Sequence, residues 1–316
     1  MTEAYEEFLG EFPGCASTHA LDALRVRDYR RLDDEHQVYL DYTGGSLHAE
    51  SQVLQHAALL NATCLRQPAF GEPSSRGVTT LVEQARQAVL EWFNASPAEY
   101  SAVFTANATG ALKHVGESYP FSQGTQLLLT VDNHNSVNGI REFARAKGAP
   151  VEYAPLTVPE LRIDRERLDA MLAWPRRRVP GSLPSRAVEL HRRQASARPH
   201  RAGARARMGR PARCRRLRAD RAVSTCRRSA PDFVSVSFYK MFGYPTGVGC
   251  LLARTRLLGT LRRPWFAGGT VNFATVNGRA CVLSPGEAGF EDGTLNYLAI
   301  PAVEVGLRHL GRPAST

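Results

Sequence analysis

The stretch SVSFYKMFGYPTGVGCLLAR, residues 235–254, constrains the fold of this chain more than any other. Phe233, Val234, Val236 and Phe238 form a short apolar strand pattern that delivers Lys240 into a turn built from Gly243, Pro245, Gly247 and Gly249. A second apolar run, Val248 to Leu252, leaves that turn. Lysine is scarce: Lys113, Lys147 and Lys240 are the only three in the chain, and arginine carries almost all other positive charge. Burial disfavours a charged ammonium, and a neutral amine is what a Schiff base with an aldehyde requires. A surface lysine snorkelling from a strand end is the plainer reading of the same residues.

The segments before this run alternate between the strand and helix periods. Residues 1–36 read as an N-terminal arm with a helix and an Arg/Asp-rich surface. Gln37–Asp41 is expected to form a short strand running into Thr43–Gly44–Gly45. From Thr80 to Phe93 the spacing of Leu81, Ala85, Val89 and Trp92 or Phe93 predicts an amphipathic helix, with Thr80 and Glu83 fitting a capping box. Strands are expected at Ser101–Thr105, Gln126–Val131 and Val151–Tyr153. Helices are expected from Thr109 to Glu117 and from Ser136 to Lys147. Such alternation implies an α/β domain with a mostly parallel sheet, which binds ligands beyond the carboxyl ends of its strands. Asn107–Thr109, Asn133–His134 and Lys240 all follow predicted strands and can converge on one crevice.

Each junction has a chemistry and a simpler reading. In FTANATG, residues 104–110, small residues open backbone N–H groups to an anion at a helix N-terminus, and Thr109 adds a hydroxyl. The P-loop pattern is missing, and an ordinary N-cap explains the same text. In DNHNS, residues 132–136, His134 can stack on a planar ligand and move protons near neutral pH, or Asn135 or Ser136 can simply start a helix. The turn Phe266–Ala267–Gly268–Gly269–Thr270 could hold an anion, and Phe290–Glu291–Asp292–Gly293–Thr294 is a similar turn signal.

The net charge of +10 is misleading. Residues 176–228 hold 18 arginines against Glu189 and Asp220, a local +16, so the rest of the chain has 22 basic and 28 acidic residues and a net of −6. Between Trp174 and Phe233 there is no aromatic residue, and neither helical nor strand periodicity survives. A nucleic-acid-binding arm, a disordered linker and a segment translated in a shifted frame compete as explanations. Codons allowed for Met208–Asp220, read one nucleotide later, can spell WDVLLDAAAFVPT, a strand ending in an aspartate. In the same frame Pro184–His200 can spell PAGQSNFTGVKHPLDL. Two sensible matches in one frame favour a frameshifted segment spanning 175–229. Elsewhere no run approaches the ~20 apolar residues of a membrane span. The acidic start lacks a secretory pattern, and Cys15, Cys64, Cys214, Cys226, Cys250 and Cys281 show no CxxC spacing. A reducing cytoplasm is the expected setting.

Together, YLDYTGGSLHA, FTANATGALKHVGES, DNHNSVNGIRE, the lysine run, FAGGTV and FEDGTLNYLAI resemble the class V aminotransferase family, which uses pyridoxal 5′-phosphate (PLP) in a fold-type-I architecture. The likeness is nearest to the cysteine-desulfurase-like domain of molybdenum cofactor sulfurases and runs through residues 37–310, interrupted at 175–229. It implies that Lys240 forms the internal aldimine, that Ala108, Thr109 and Ser237 bind the cofactor phosphate, and that His134 stacks on the ring and assists proton transfer. It further implies a homodimer in which Thr270 reaches the neighbouring subunit's phosphate, and a small amino acid, foremost cysteine, as substrate.

The chain also departs from that pattern. The family aspartate that protonates the pyridine nitrogen falls at Arg213 and Cys214, and its polar ring contacts fall in the rescued QSNF text. Residues 311–316 read as a truncated tail, before a small C-terminal domain would supply the substrate-carboxylate arginine and the sulfur-accepting cysteine. Three functions therefore stand side by side: a PLP enzyme of the sulfur-transferring kind, a frameshift-damaged and inactive relative, and an Arg-rich nucleic-acid binder.

Overall fold

The computed structural model describes residues 3–63, 73–172, 188–190, 231–278 and 280–311. The chain divides into two compact units, the first made of Met1–Ala85, Phe238–Thr246 and Tyr297–Thr316 and the second of Arg86–Ser237 and Gly247–Asn296.

The first unit is helical where it is described. Helices Glu3–Glu11, His19–Asp28 and Arg31–Asp34 form the arm, and helix Glu50–Ala62 packs against helix Pro301–Gly311. The expected strand at 37–41 is absent. Among the described residues no strand pairs with it, and Val38 and Leu40 are exposed. Helix Pro73–Trp92 starts a full two turns before the predicted Thr80. Proline suits a first helical position because it lacks the N–H that would stay unpaired there. Thr80 is therefore an interior residue, its hydroxyl donating back to the Arg76 carbonyl at 3.0 Å, and the capping-box reading fails.

All the strands belong to the second unit. They are β1 (Tyr100–Thr105), β2 (Leu127–Thr130), β3 (Val151–Ala154), β4 (Leu156–Thr157), β5 (Arg162–Ile163), β6 (Val188–Leu190), β7 (Phe233–Ser237), β8 (Gly249–Arg254), β9 (Val271–Ala274) and β10 (Cys281–Leu283). One three-stranded sheet has the order β3-β2-β6 and is parallel throughout. The other has the order β1-β8-β7, with β8 antiparallel to both neighbours because the short turn after Lys240 reverses the chain. Two-stranded ribbons pair β4 with β5 and β9 with β10.

The predicted strands at 101–105, 126–131 and 151–153 thus form, each within a residue or two. The helix expected at 136–147 forms as Asn135–Asn138 and Ile140–Ala146, broken at Gly139. Within the arginine-rich segment, where no strand period is legible, Val188–Leu190 pairs with the fully buried β2. An open edge recruits backbone whatever the surrounding composition. The rest of that segment, Arg213, Cys214, Cys226, Cys64 and the 312–316 tail lie outside the described residues.

Helix Ala108–Ser118 joins two apolar clusters. Val103, Ala111, Val115, Leu251, Ala253, Leu258 and Phe290 pack on one side, and Leu112, Leu127, Leu129, Val137 and Ile140 on the other. Beside them lies a buried ion pair. Arg86 and Glu291, 9% and 8% exposed, meet at 2.8 Å. Arg86 also donates to the Ala102 carbonyl, and Glu291 accepts from the Phe104 amide at 2.8 Å. Among the described residues β1 is an edge strand of its sheet, as is β7. The pair therefore satisfies edge groups that would otherwise be buried without partners.

The same unit buries His114, whose ring lies 3.6 Å from Glu117 and 3.9 Å from Asp292. Burial pushes this imidazole below its usual value; the Arg263 guanidinium acts in the same direction, and the Asp292 and Glu117 carboxylates oppose both. The folded state then binds fewer protons than the unfolded chain in this range, and stability falls as pH drops. We predict that stability is fully present above the ordinary imidazole value of 6.5 and declines as pH falls through the lower folded value. Urea melts at about pH 7.5 and about pH 5.5 should show this loss, and His114→Gln should flatten it.

Candidate active site

The second unit assembles a polar cradle at the N-terminus of helix Ala108–Ser118. Asn107, fully extended, caps the helix by accepting from the Gly110 amide at 3.0 Å. Thr105 closes the turn from the strand side, its hydroxyl donating to the Asn107 carbonyl at 2.9 Å. The Ala108 amide donates to the Ser237 hydroxyl at 2.8 Å, which ties the helix start to the end of β7. Between them lies the first residue of β8. A Cβ on Gly249 would sit 2.4 Å from the Val236 carbonyl and 2.6 Å from the Asn107 Cα, so only glycine fits.

A second loop reaches the same cradle. The Thr109 and Ser136 hydroxyls lie 2.8 Å apart. Ser136 follows His134, and His134 itself is the N-cap of helix Asn135–Asn138, with Nδ1 accepting from the Ser136 amide at 3.1 Å. That bond assigns the proton of the neutral ring to Nε2. The imidazole is exposed. The loop is held from below by Asn133, whose amide group donates to the Thr130 carbonyl at 2.9 Å. Ala108 and Thr109 meet Ser237 and Ser136 in this cradle, the first three being residues that the family resemblance names, and His134 stands two positions before Ser136. Ser136, Asn107 and Gly249 complete it. Ser136 was legible only as a helix starter, because a hydroxyl's partner on another loop leaves no mark in the local pattern.

Ser237 has its oxygen engaged as an acceptor and keeps its own O–H to give. Of the Thr109 and Ser136 hydroxyls, one bonds the other and one O–H remains. Amides in the first turn of a helix have no intrahelical partner, and the helix dipole favours negative charge there. This donor set suits an anion with several oxygens, such as a phosphate monoester.

Thr270 is different. It is fully buried, its hydroxyl donates to the Ala267 carbonyl at 2.7 Å and accepts from the Ala267 amide at 2.9 Å. Its side chain closes its own turn, and the Gly293 amide donates to the Gly268 carbonyl at 2.9 Å to pair that turn with the loop after Glu291.

Lys240 belongs to the first unit, on the one-turn helix Tyr239–Phe242 that follows β7 in the chain. It is half-buried, with Nζ 5.8 Å from the Tyr239 ring centre. Ser46 grips this helix twice: its amide donates to the Tyr239 carbonyl at 3.1 Å and its hydroxyl to the Lys240 carbonyl at 2.9 Å. The Thr43–Gly44–Gly45 signal therefore marks a loop that holds the lysine's backbone. Gly243 ends the helix at φ +81°, and a Cβ there would lie 2.2 Å from the His48 amide nitrogen.

The Aminotransferase class-V family profile matches residues 38–178 and 225–314, well over half of the chain. The molybdenum cofactor sulfurase of Solanum lycopersicum is 33% identical over 337 aligned residues, 96% of this chain and 41% of the relative. That of Arabidopsis thaliana is 31% identical, over 98% and 42%. The chain thus spans about two fifths of the length of these curated relatives. Among solved structures, the apo cysteine desulfurase of Thermococcus onnurineus NA1 superposes with a TM-score of 0.70 at 19% identity, covering 92% of this chain and 70% of that one. At that identity the likeness is one of fold, that of the PLP-dependent cysteine desulfurases.

Both a left-handed backbone and a blocked Cβ act against substitution at Gly243. Gly243→Ala is predicted to destabilise the chain by at least ~1–3 kcal/mol, read as a lower urea midpoint with an unchanged slope.

Proposed function

The chain belongs to the class-V aminotransferase family, and we propose that it is a PLP-dependent protein of the cysteine-desulfurase type, acting on a small amino acid, foremost cysteine, through Lys240. The observation that carries this reading is the built cradle: the Ala108 amide on the Ser237 hydroxyl at 2.8 Å, with Thr109 and Ser136 paired alongside. Its donors fit the phosphate half of the cofactor. The carboxylate that would meet the ring nitrogen falls at Arg213 and Cys214, outside the described residues.

Mechanistically, the Ser237 hydroxyl, the Thr109–Ser136 hydroxyl pair and the Thr109 amide would hold the phosphate and fix the orientation of the ring, the Ala108 and Gly110 amides being engaged by Ser237 and Asn107. Lys240 would offer its amine to the aldehyde, with the backbone on both sides of that amine pinned by Ser46 and Gly243. When bound, PLP supplies an electron sink for carbanion chemistry at the substrate's α-carbon. His134 would stack on the ring with Nε2–H as a donor, and would take up a proton only at Nδ1, on giving up its bond from the Ser136 amide. Neither Cys250, buried in β8, nor half-buried Cys15 suits a sulfur-accepting role, and Cys281 on β10 is exposed. The proposal includes a cytoplasmic homodimer. Thr270 would serve a neighbouring subunit's phosphate only on giving up its bond to Ala267. Among the described residues no helix is long and apolar enough to cross a membrane.

Purified chain given PLP should yield a borohydride-reducible adduct at Lys240 that Lys240→Ala abolishes. Ser136→Ala, losing a hydrogen bond to a charged group, should weaken PLP binding by about tenfold, read by titrating absorbance. An undiminished adduct in Lys240→Ala would refute the role given to this lysine.

A second reading, that the chain is an inactive member with residues 175–229 in a shifted frame, draws on one observation. The family match stops at 178 and resumes at 225, inside the arginine-rich segment. A nucleic-acid role would rest on that segment's charge alone. Sequencing the gene across these codons should reveal a compensating pair of insertions or deletions; an intact frame would retire the idea.

A further inference from the structure

Helix Glu50–Ala62 buries a histidine that no motif in the sequence singles out. His56 is 3% exposed, and both ring nitrogens are engaged. Nε2 lies 2.7 Å from the Leu298 carbonyl and Nδ1 lies 2.7 Å from the Tyr244 hydroxyl. A carbonyl can only accept, so Nε2 carries the proton. In the neutral ring Nδ1 is then an acceptor, and Tyr244 must donate to it. Each of the three polar groups has one defined role. The two rings also touch, with centroids 5.6 Å apart, and the His48 ring lies 6.4 Å from the tyrosine on another side.

Tyr244 lies four residues after Lys240, directly beyond Gly243. The one-turn helix between them is clamped at its front by Ser46. At its back, Gly243 lies against the Leu47–His48 backbone, and the Phe242 ring lies where a Cβ on Gly306 would stand 2.2 Å away. A single helical turn has almost no stability of its own and takes its position from what grips its ends. Among these grips only the Tyr244–His56 bond is a side-chain pair that can be removed without disturbing the backbone.

We propose that His56 is a positioning residue for Lys240, acting through Tyr244: it holds the turn that follows the lysine so that the amine is presented in one orientation. The proposal rests on Lys240 being the residue that reacts with an aldehyde cofactor. Burial raises the Tyr244 phenol above its ordinary value, in keeping with a phenol that stays protonated and donates.

The test follows adduct formation in the whole 316-residue chain. PLP is added to wild type, Tyr244→Phe, His56→Leu and His56→Gln, and the borohydride-trapped adduct at Lys240 is timed by absorbance and located by peptide mass. Tyr244→Phe keeps the ring and its packing but loses the donor, so it remains informative even where His56→Leu fails to fold. The expected result is adduct formation slowed by about tenfold in Tyr244→Phe, with PLP binding unchanged as measured by displacement with inorganic phosphate. His56→Gln, whose amide can accept from Tyr244 and donate to Leu298, should recover most of the rate. The double variant Tyr244→Phe/His56→Gln should be no slower than Tyr244→Phe alone. Folded Tyr244→Phe reacting at the wild-type rate would overturn the positioning role and leave the cofactor reading intact. Wild type that forms no adduct at Lys240 would overturn the cofactor reading and, with it, this inference.

Discussion

The architecture of the second unit depends on a missing side chain. Gly249 opens β8 at a point where the Val236 carbonyl and the Asn107 backbone leave no room for a Cβ. That contact lets β8 run between β1 and β7 and brings the end of β7 against the turn that leaves β1. The consequences are chemical as well as geometric. Ser237 meets the Ala108 amide only because the two strand ends are this close, and Asn107 is free to cap the helix because its backbone is extended. A polar helix start suited to an anion is thus a by-product of how tightly two strands and a turn are stacked, and the hydroxyls add to what the backbone already favours there.

The lysine is held by a different logic. Its helix has one turn, too few residues to persist alone. Ser46 from the Thr43–Ser46 loop, Gly243 against His48 and Tyr244 against His56 replace what a longer helix would supply through its own ladder. Ser46 and Gly243 thus act on the backbone of this turn, and Tyr244 acts through a side chain.

The parts of this legible in the sequence were those written in local periods. The strands ending at Thr105 and Thr130 and the helix starting at Ala108 followed from apolar spacing and small-residue turns, because each is decided within a few residues. What was not legible involves partners far apart in the chain. Thr80 looked like a cap because its neighbours are apolar, yet the helix begins at Pro73 and makes it an interior residue. QVYLD has strand composition, but among the described residues no strand pairs with it. His56 lies in a run, QHAALL, that says nothing about Tyr244, 188 residues away. Ser136 and Thr109 meet across 27 residues. Thr270 reads as an anion contact, and the bond of its hydroxyl to Ala267 within its own turn was not legible.

The Arg86–Glu291 pair on the edge of β1 has a consequence for how such a sequence can drift. Losing either member alone strands a buried charge and reopens backbone groups on the strand, a penalty of ~3–5 kcal/mol against a whole-protein stability of ~5–15 kcal/mol. Exchanging both together for well-packed apolar residues is far gentler, though two edge groups would then need new partners. The two sites, 205 residues apart, are thereby bound into a single heritable unit. Leaving this arrangement cheaply takes a double step, one change at each site.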